Sequence, residues 1–190
     1  MLPPLVDTHC HLDLKEFAAD REEVVARAVQ EGVAAMLTLG TDGPSSGRSV
    51  ALAATHPSVY AAVGLHPNDA GHYEPGLWPR LEKLASDPKV IAWGEIGLDY
   101  HWDTATPAAQ KLVLHEQLAL ARNLRLPIVV HIRKAHADAL AILGEPAYRG
   151  IGGVLHCWSG DLEAARRGID LGFLIGIGGP VTYRKSALPE

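Results

Sequence analysis

The chain has 190 residues, of which 47% are hydrophobic and 21% charged, and its net charge at neutral pH is −5. This length and composition favour one globular domain over residues 1–190 with a sizeable core. The acidic balance argues against a broad basic surface for duplex nucleic acid. No apolar run is long enough to span a membrane and the first residues lack a signal-peptide pattern, so we expect a cytoplasmic protein.

Short apolar runs alternate with segments of helical periodicity along the whole chain. Seven strands are predicted, over residues 5–9, 35–40, 59–64, 90–100, 127–133, 153–158 and 173–179. Helices are predicted after Asp20, after a Gly/Pro/Ser turn at 42–47, near Leu77, from Pro107, from about Ala135, and after Ser159 or Asp161. Asp20 and Glu23 have the spacing of a capping box.

Strict alternation of helices with strands that are apolar on both faces predicts a parallel sheet covered by helices. Two arrangements are open at this point: a doubly wound open sheet and a TIM-type (β/α)8 barrel. An open sheet usually has a glycine-rich phosphate turn after its first strand, and residues 7–11 form no such turn. The reactive residues follow the strands, as they do in a barrel, so we predict the barrel.

His9 and His11 stand two positions apart at the end of the first strand. Side chains alternate along a strand, so both imidazoles point to one side and can bind one metal ion. Later strands lead into residues of the same kind, namely Glu95, His131 and His156. Imidazole and carboxylate are typical ligands of zinc, manganese and similar ions. We expect His9 and His11 to hold a first ion, His131 and His156 a second, and Glu95 to bridge them.

Two such ions, about 3.5–4 Å apart, would share a water whose pKa falls to about 7–9. This makes hydroxide available at neutral pH and predicts a hydrolase. Ions also offset the charge that develops on a phosphoryl oxygen, so a phosphodiester is a plausible substrate. Glu95 and His131 are the predicted catalytic residues.

Several neighbouring residues have both a functional and a structural interpretation. His66 is predicted to contact a substrate phosphate or to form a turn with the proline after it. Arg133 is predicted to bind phosphate or to make an ion pair at the barrel rim, and Tyr100 and His101 are candidates to line the substrate cleft. Trp158 is predicted to be buried over the barrel mouth rather than stacked on a base.

Two cysteines and one aspartate lie inside the histidine motifs. Cys10 and Cys157 do not form a spaced disulfide framework, so we predict reduced thiols. Asp7 is predicted to orient a ligand by accepting a hydrogen bond rather than to bind metal itself.

Five motifs together resemble the successive signatures of the TatD family of metal-dependent deoxyribonucleases, in the amidohydrolase superfamily. They are VDTHCHLD at 6–13, GLHP at 64–67, GEIGLDY at 94–100, LPIVVHIR at 126–133 and LHCWSG at 155–160. The resemblance runs from Leu5 to about Tyr183. It implies a (β/α)8 barrel, one or two divalent ions (zinc, manganese or magnesium) and hydrolysis of DNA, often from the 3′ end of a single strand. It also implies the ligands His9, His11, Glu95, His131 and His156.

The family pattern continues past the seventh strand to an eighth, whose Glu-Thr-Asp end supplies a last ligand. This sequence does not reach that segment, so we expect a barrel without its eighth strand and flanking helices, incomplete at the C-terminus. The edges of the first and seventh strands would then be exposed and favour self-association, and the first ion would lack a carboxylate. Two alternatives stay open: a catalytically impaired metal-binding remnant, and a sister amidohydrolase acting on an amide or lactone.

Overall fold

A computed structural model describes residues 4–184 of the chain, which divide into two compact units. The first unit comprises the residues up to Leu65 together with Glu74–Glu95, and the second comprises His66–Tyr73 together with the residues from Ile96 onward. The organisation as a single domain stays a prediction. Among the described residues, no helix has the length and apolarity that a membrane crossing requires.

The first unit contains three complete strand-helix pairs and the start of a fourth strand. Its elements are β1 (Leu5–Cys10), α1 (Arg21–Gln30), β2 (Val33–Leu39), α2 (Gly43–Thr55), β3 (Val59–Val63), α3 (Leu77–Ala85) and β4 (Val90–Asp99) as far as Glu95. Strand β1 pairs in parallel with β2, β2 with β3, and β3 with β4. Leu39, Leu81 and Trp93 are fully buried and form the centre of this unit's core.

The second unit continues the same pattern from the later part of β4. Its elements are α4 (Pro107–Leu124), β5 (Ile128–Arg133), α5 (His136–Leu143), β6 (Gly153–Leu155), α6 (Leu162–Asp170) and β7 (Phe173–Ile175). Strands β5, β6 and β7 pair in parallel with their neighbours. The periodic apolar face predicted for α4 is confirmed, because Leu114, Leu118 and Ala121 are all fully buried.

In each unit the strands lie side by side in the order in which they occur in the chain. A doubly wound open sheet instead reverses its strand order at a switch point. Sequential order with a helix after each strand from β1 to β6 is the arrangement of a (β/α) barrel, as predicted. In this arrangement the functional side chains are expected at the carboxyl ends of the strands.

Three local predictions were wrong. Helix α2 begins at Gly43 instead of after a turn, because the Asp42 side chain accepts from the Ser45 backbone N–H at 2.6 Å and proline fits the first helical turn. Asp20 does precede α1, but it makes no side-chain capping bond. Strands β6 and β7 are three residues each, shorter than their apolar runs.

The outer strands of the two units carry exposed apolar side chains. Leu5 and Val6 on β1 are 60% and 59% exposed, and Leu174 on β7 is 69% exposed. These exposures match the apolar edges expected from the sequence. Self-association through them stays a prediction.

Candidate metal centre

The first unit brings His9, His11 and Glu95 together at the carboxyl ends of its strands. The Nε2 atoms of both histidines lie 3.3 Å from the same carboxylate oxygen, Oε2 of Glu95. The two imidazole rings are 4.8 Å apart and perpendicular. Glu95 is buried, and its backbone N–H donates to the carbonyl of Gly40 after β2, which fixes its position. The predicted grouping of these three residues is therefore present.

The hydrogen bond at the other ring nitrogen of His11 determines its tautomer. Nδ1 lies 3.1 Å from the carbonyl oxygen of Leu39, which can only accept, so the proton of the neutral ring is on Nδ1. The Nε2 lone pair of that ring then faces the carboxylate of Glu95. The lone pair of His11 Nε2 and the lone pairs of Glu95 Oε2 repel each other, so a proton or a metal ion is required between these two atoms.

The pKa of His11 is consistent with this arrangement. Burial lowers it, but the hydrogen bond and the negative charge of Glu95 more than offset burial, so the pKa is raised above its ordinary value. A divalent cation would take the place of this proton. Two ligand atoms about 2.1 Å from one tetrahedral ion are about 3.4 Å apart, close to the separations found here. The donor atoms therefore fit a metal ion.

Cys10 directly follows His9, and Asp7 precedes it by two residues. Burial, with the charge of Asp7, raises the pKa of the Cys10 thiol to about 12, and its Sγ donates to the carbonyl of Leu37. Cys10 is therefore a neutral thiol at physiological pH. Asp7 accepts a hydrogen bond from the backbone N–H of His9 at 3.0 Å, and both Cys10 and Cys157 are free cysteines, as predicted.

The second unit brings three histidines together, and one of them contacts a buried carboxylate. Nε2 of His131 lies 2.9 Å from Oδ2 of Asp99, whose side chain is 1% exposed. The ring of His131 is 4.5 Å from that of His66 and 5.3 Å from that of His156. The predicted ligands His131 and His156 thus lie next to each other, and the predicted substrate residue His66 contacts His131.

Asp99 was not among the residues selected from the sequence. Burial raises its pKa, but the N–H groups of His101 and His131 outweigh burial, and the pKa is lowered, so the group is a carboxylate. Its Oδ2 therefore accepts the Nε2 proton of His131, which leaves the lone pair of that ring on Nδ1. Such carboxylate-histidine pairs commonly orient metal ligands.

Gly97 allows β4 and β5 to approach closely next to His131. Its φ is +143°, and a Cβ at this position would lie 1.9 Å from the carbonyl oxygen of His131. Any larger residue would displace the backbone that carries His131. The glycine in the GLD segment thus has a geometric role in the site.

The remaining predicted residues differ in their surroundings. Nδ1 of His66 accepts from the backbone N–H of Asn68, so Nε2 carries the proton and is a donor. Arg133 lies over the ring of Trp102, with 5.6 Å between its guanidinium carbon and the ring centre. The hydroxyl of Tyr100 donates to Asp138. Trp158 is 6% exposed, so it is buried as predicted.

Asp138 receives hydrogen bonds from two side chains, which makes its replacement a test of a local polar network. Lys111 and the hydroxyl of Tyr100 both lie within 2.8 Å of its Oδ2 and lower its pKa. A depressed folded pKa stabilises the protein above the unfolded pKa, and that contribution is lost as pH falls through the folded pKa. We expect Asp138→Asn to lower the free energy of unfolding at neutral pH and to have no effect once the pH lies below the folded pKa.

Urea denaturation at neutral and at acidic pH measures this difference. Asp170→Asn, which removes an exposed carboxylate from the end of α6, is the matched control. A destabilisation by Asp138→Asn that is equal at both pH values contradicts the ionic explanation.

Comparisons with known proteins place these sites in a family. The model of the TatD-related DNase family matches residues 6–189. The chain belongs to this family. The metal-dependent hydrolase YabD of Bacillus subtilis is 38% identical over 186 residues, which are 98% of this chain and 73% of that protein. The 3′-5′ ssDNA/RNA exonuclease TatD of Klebsiella pneumoniae is 36% identical over 184 residues, which are 97% of this chain and 70% of that protein.

A crystal structure of YjjV, a TatD homologue from Escherichia coli K12, matches with a TM-score of 0.89 and 37% identity. The match covers 97% of this chain and 72% of that one. The predicted family and the TIM-type α/β fold class are confirmed. As a member of the TatD-related DNase family, the chain is a metal-dependent hydrolase.

Proposed function

We propose that this TatD-related hydrolase cleaves phosphodiester bonds of single-stranded DNA from the 3′ end. The arrangement of His9, His11 and Glu95 carries the proposal, since two imidazoles and one carboxylate converge on the space that one cation needs. A relative with 36% identity is named a 3′-5′ ssDNA/RNA exonuclease. A metal-activated hydrolysis of a phosphodiester agrees with both observations.

The proposed ligands fall into one set in each unit. His9, His11 and Glu95 would hold one divalent ion, and His131 and His156 would hold another. Zinc, manganese and magnesium are the proposed metals, of which zinc and manganese suit the imidazole nitrogens best. Bound ions supply an activated water and offset the charge on phosphoryl oxygens. A bridging position for Glu95 stays a prediction.

The chain's own residues orient the ligands and contribute donors to the substrate. Asp99 keeps the proton of His131 on Nε2, and Leu39 keeps that of His11 on Nδ1. His66 offers its Nε2 proton, which makes it the proposed donor to a phosphate oxygen. We propose that Tyr100 and Arg133 line the substrate cleft through packing contacts. The hydroxyl of Tyr100 already donates to Asp138, and the guanidinium group of Arg133 lies over the ring of Trp102.

A cytoplasmic location stays a prediction.

Hydrolysis of end-labelled oligonucleotides tests the proposal. Purified protein is treated with chelator and resupplied with manganese, zinc or magnesium before incubation with single-stranded DNA, single-stranded RNA or a lactone. We expect shortening of the DNA strand from its 3′ end that chelator stops. His131→Ala is expected to lower the rate more than about a hundredfold, because loss of a residue that merely orients a ligand already costs about 10- to 100-fold.

His72→Ala is the matched control, since His72 is an exposed histidine of the same unit. It is expected to leave the rate unchanged. Hydrolysis of the lactone without shortening of any nucleic acid would overturn the proposal, as would DNA shortening that persists with chelator or in His131→Ala.

A further inference from the structure

Trp102 is an exposed aromatic side chain beside the Asp99–His131 pair. It is 52% exposed, whereas Trp93 and Trp158 are 0% and 6% exposed. A tryptophan has one of the largest apolar surfaces of any residue and is mostly buried unless a ligand or partner covers it. Its exposure next to the second histidine group makes the indole available to a ligand.

The backbone of Trp102 is fixed to the carboxylate that orients His131. The backbone N–H groups of His101 and Trp102 both donate to Oδ1 of Asp99, at 2.8 and 3.4 Å. The other oxygen of the same carboxylate accepts from His131 at 2.9 Å. A molecule resting on Trp102 would thus be held at a defined position relative to His131.

Two neighbouring side chains hold the indole ring. The ring of His101 packs edge-on against it, with 4.6 Å between the ring centres. The guanidinium carbon of Arg133 lies 5.6 Å from its centre, within the range of a cation–π interaction. Arg133 follows the ligand His131 by two residues, so this contact also links the indole to β5.

The lining of the cavity beside the indole favours a neutral group over an anion. Residues 99–103 line a cavity of about 230 Å³ together with Ala105 and Pro107. Asp99 and Asp103 are among them, and carboxylates repel a phosphate. A nucleobase has no net charge and presents a flat π-face, which is the group that aromatic and guanidinium planes stack against.

We propose that Trp102, supported by Arg133, is a stacking platform for an unpaired nucleobase of the substrate strand. The inference rests on the proposed nuclease function and names the base as a recognised part of the substrate. Stacking of this kind tolerates any base and requires a single strand, because paired bases expose no face. In this proposal Arg133 supports recognition of the base, whereas one prediction from the sequence was that it binds a phosphate.

Binding of two oligonucleotides by Trp102 variants tests the platform separately from catalysis. One labelled strand carries thymine bases on phosphorothioate linkages, which slow its cleavage, and the other has the same linkages but lacks all bases. Affinities are measured by fluorescence anisotropy in the presence of manganese. Trp102→Ala is expected to weaken binding of the first strand by roughly 5- to 100-fold, the usual effect of losing one aromatic stack.

The specificity of that loss distinguishes stacking from a structural effect. Trp102→Phe is expected to recover most of the affinity because phenylalanine also stacks, and the strand without bases should bind Trp102→Ala and the unaltered protein equally. Leu112→Ala, which shortens another exposed apolar side chain of the second unit, is the control and should bind both strands normally. Thermal unfolding of each variant verifies that it is folded.

Equal binding of the base-bearing strand by Trp102→Ala and the unaltered protein would overturn the platform. So would an equal loss for both strands, or no binding of the base-bearing strand by the unaltered protein. DNA hydrolysis that survives alongside such a result leaves the proposed function standing without the platform. Binding that depends on Trp102, without hydrolysis of any nucleic acid, would support the platform and contradict the proposed function.

Discussion

Replacing Glu95 with glutamine is expected to remove the metal ion from the first unit and to lower hydrolysis more than about a hundredfold. Loss of a residue that merely orients a metal ligand already costs about 10- to 100-fold, and loss of a proposed ligand should cost more. The carboxylate is the one negative charge among the three grouped side chains His9, His11 and Glu95, and its Oε2 faces both imidazoles. Glutamine has nearly the same shape but is neutral. It therefore keeps the packing of this buried position while removing the charge that binds the cation.

Metal content after dialysis and the initial rate of DNA hydrolysis measure the effect of Glu95→Gln. Glu23→Gln changes an exposed glutamate of α1 in the same unit and should alter neither quantity. Circular dichroism in the presence of chelator should show that Glu95→Gln keeps the fold, since the side chain has nearly the same shape. Normal metal content in this variant would show that the three residues do not bind the ion.

The residue pattern predicted which of these side chains come together, because the signal is local. His9 and His11 stand two apart on one strand, so strand geometry alone places both rings on one side. Glu95, His131 and His156 each follow an apolar run, and in a sequential parallel sheet those positions lie at one end of the strands. The grouping of His9 and His11 with Glu95, and of His131 with His156, follows directly from these two rules.

The contacts that Asp99 and Trp102 make have no such local signal. Asp99 also closes an apolar run, the same signal that identified Glu95, but its partner His131 is 32 residues away in the chain. Trp102 lies in a loop after β4, where a sequence gives no indication of whether an indole is buried or exposed. Its contact with Arg133 depends on the packing of β4 against β5, which Gly97 permits. These relationships require tertiary structure.

Replacing Asp99 with asparagine is expected to lower both metal affinity and hydrolysis by about 10- to 100-fold, the usual effect of losing a residue that orients a metal ligand. The carboxylate accepts from the backbone N–H groups of His101 and Trp102 through one oxygen and from His131 through the other. If the asparagine oxygen keeps the backbone bonds, its NH₂ group faces Nε2 of His131. The proton of His131 then moves to Nδ1, and the lone pair leaves the nitrogen proposed to bind metal.

The opposite orientation of the amide is also unfavourable. The asparagine oxygen would then face His131 and preserve its tautomer, but the NH₂ group would face two backbone N–H donors and leave them unsatisfied in a buried position, at a cost of about 1–3 kcal/mol each. The first orientation impairs metal binding with little loss of stability, whereas the second destabilises the fold. Metal affinity from chelator competition and the free energy of unfolding, measured together, distinguish the two.

Asp170→Asn is again the control, because it neutralises an exposed carboxylate of the same unit. An Asp99→Asn variant with unaltered metal affinity and unaltered rate would show that His131 needs no carboxylate to orient it. The predicted result would instead assign to Asp99 the selection of the His131 nitrogen that binds the cation. Binding of the base-bearing strand should weaken only if the amide adopts the second orientation, because that orientation breaks the backbone bonds of His101 and Trp102.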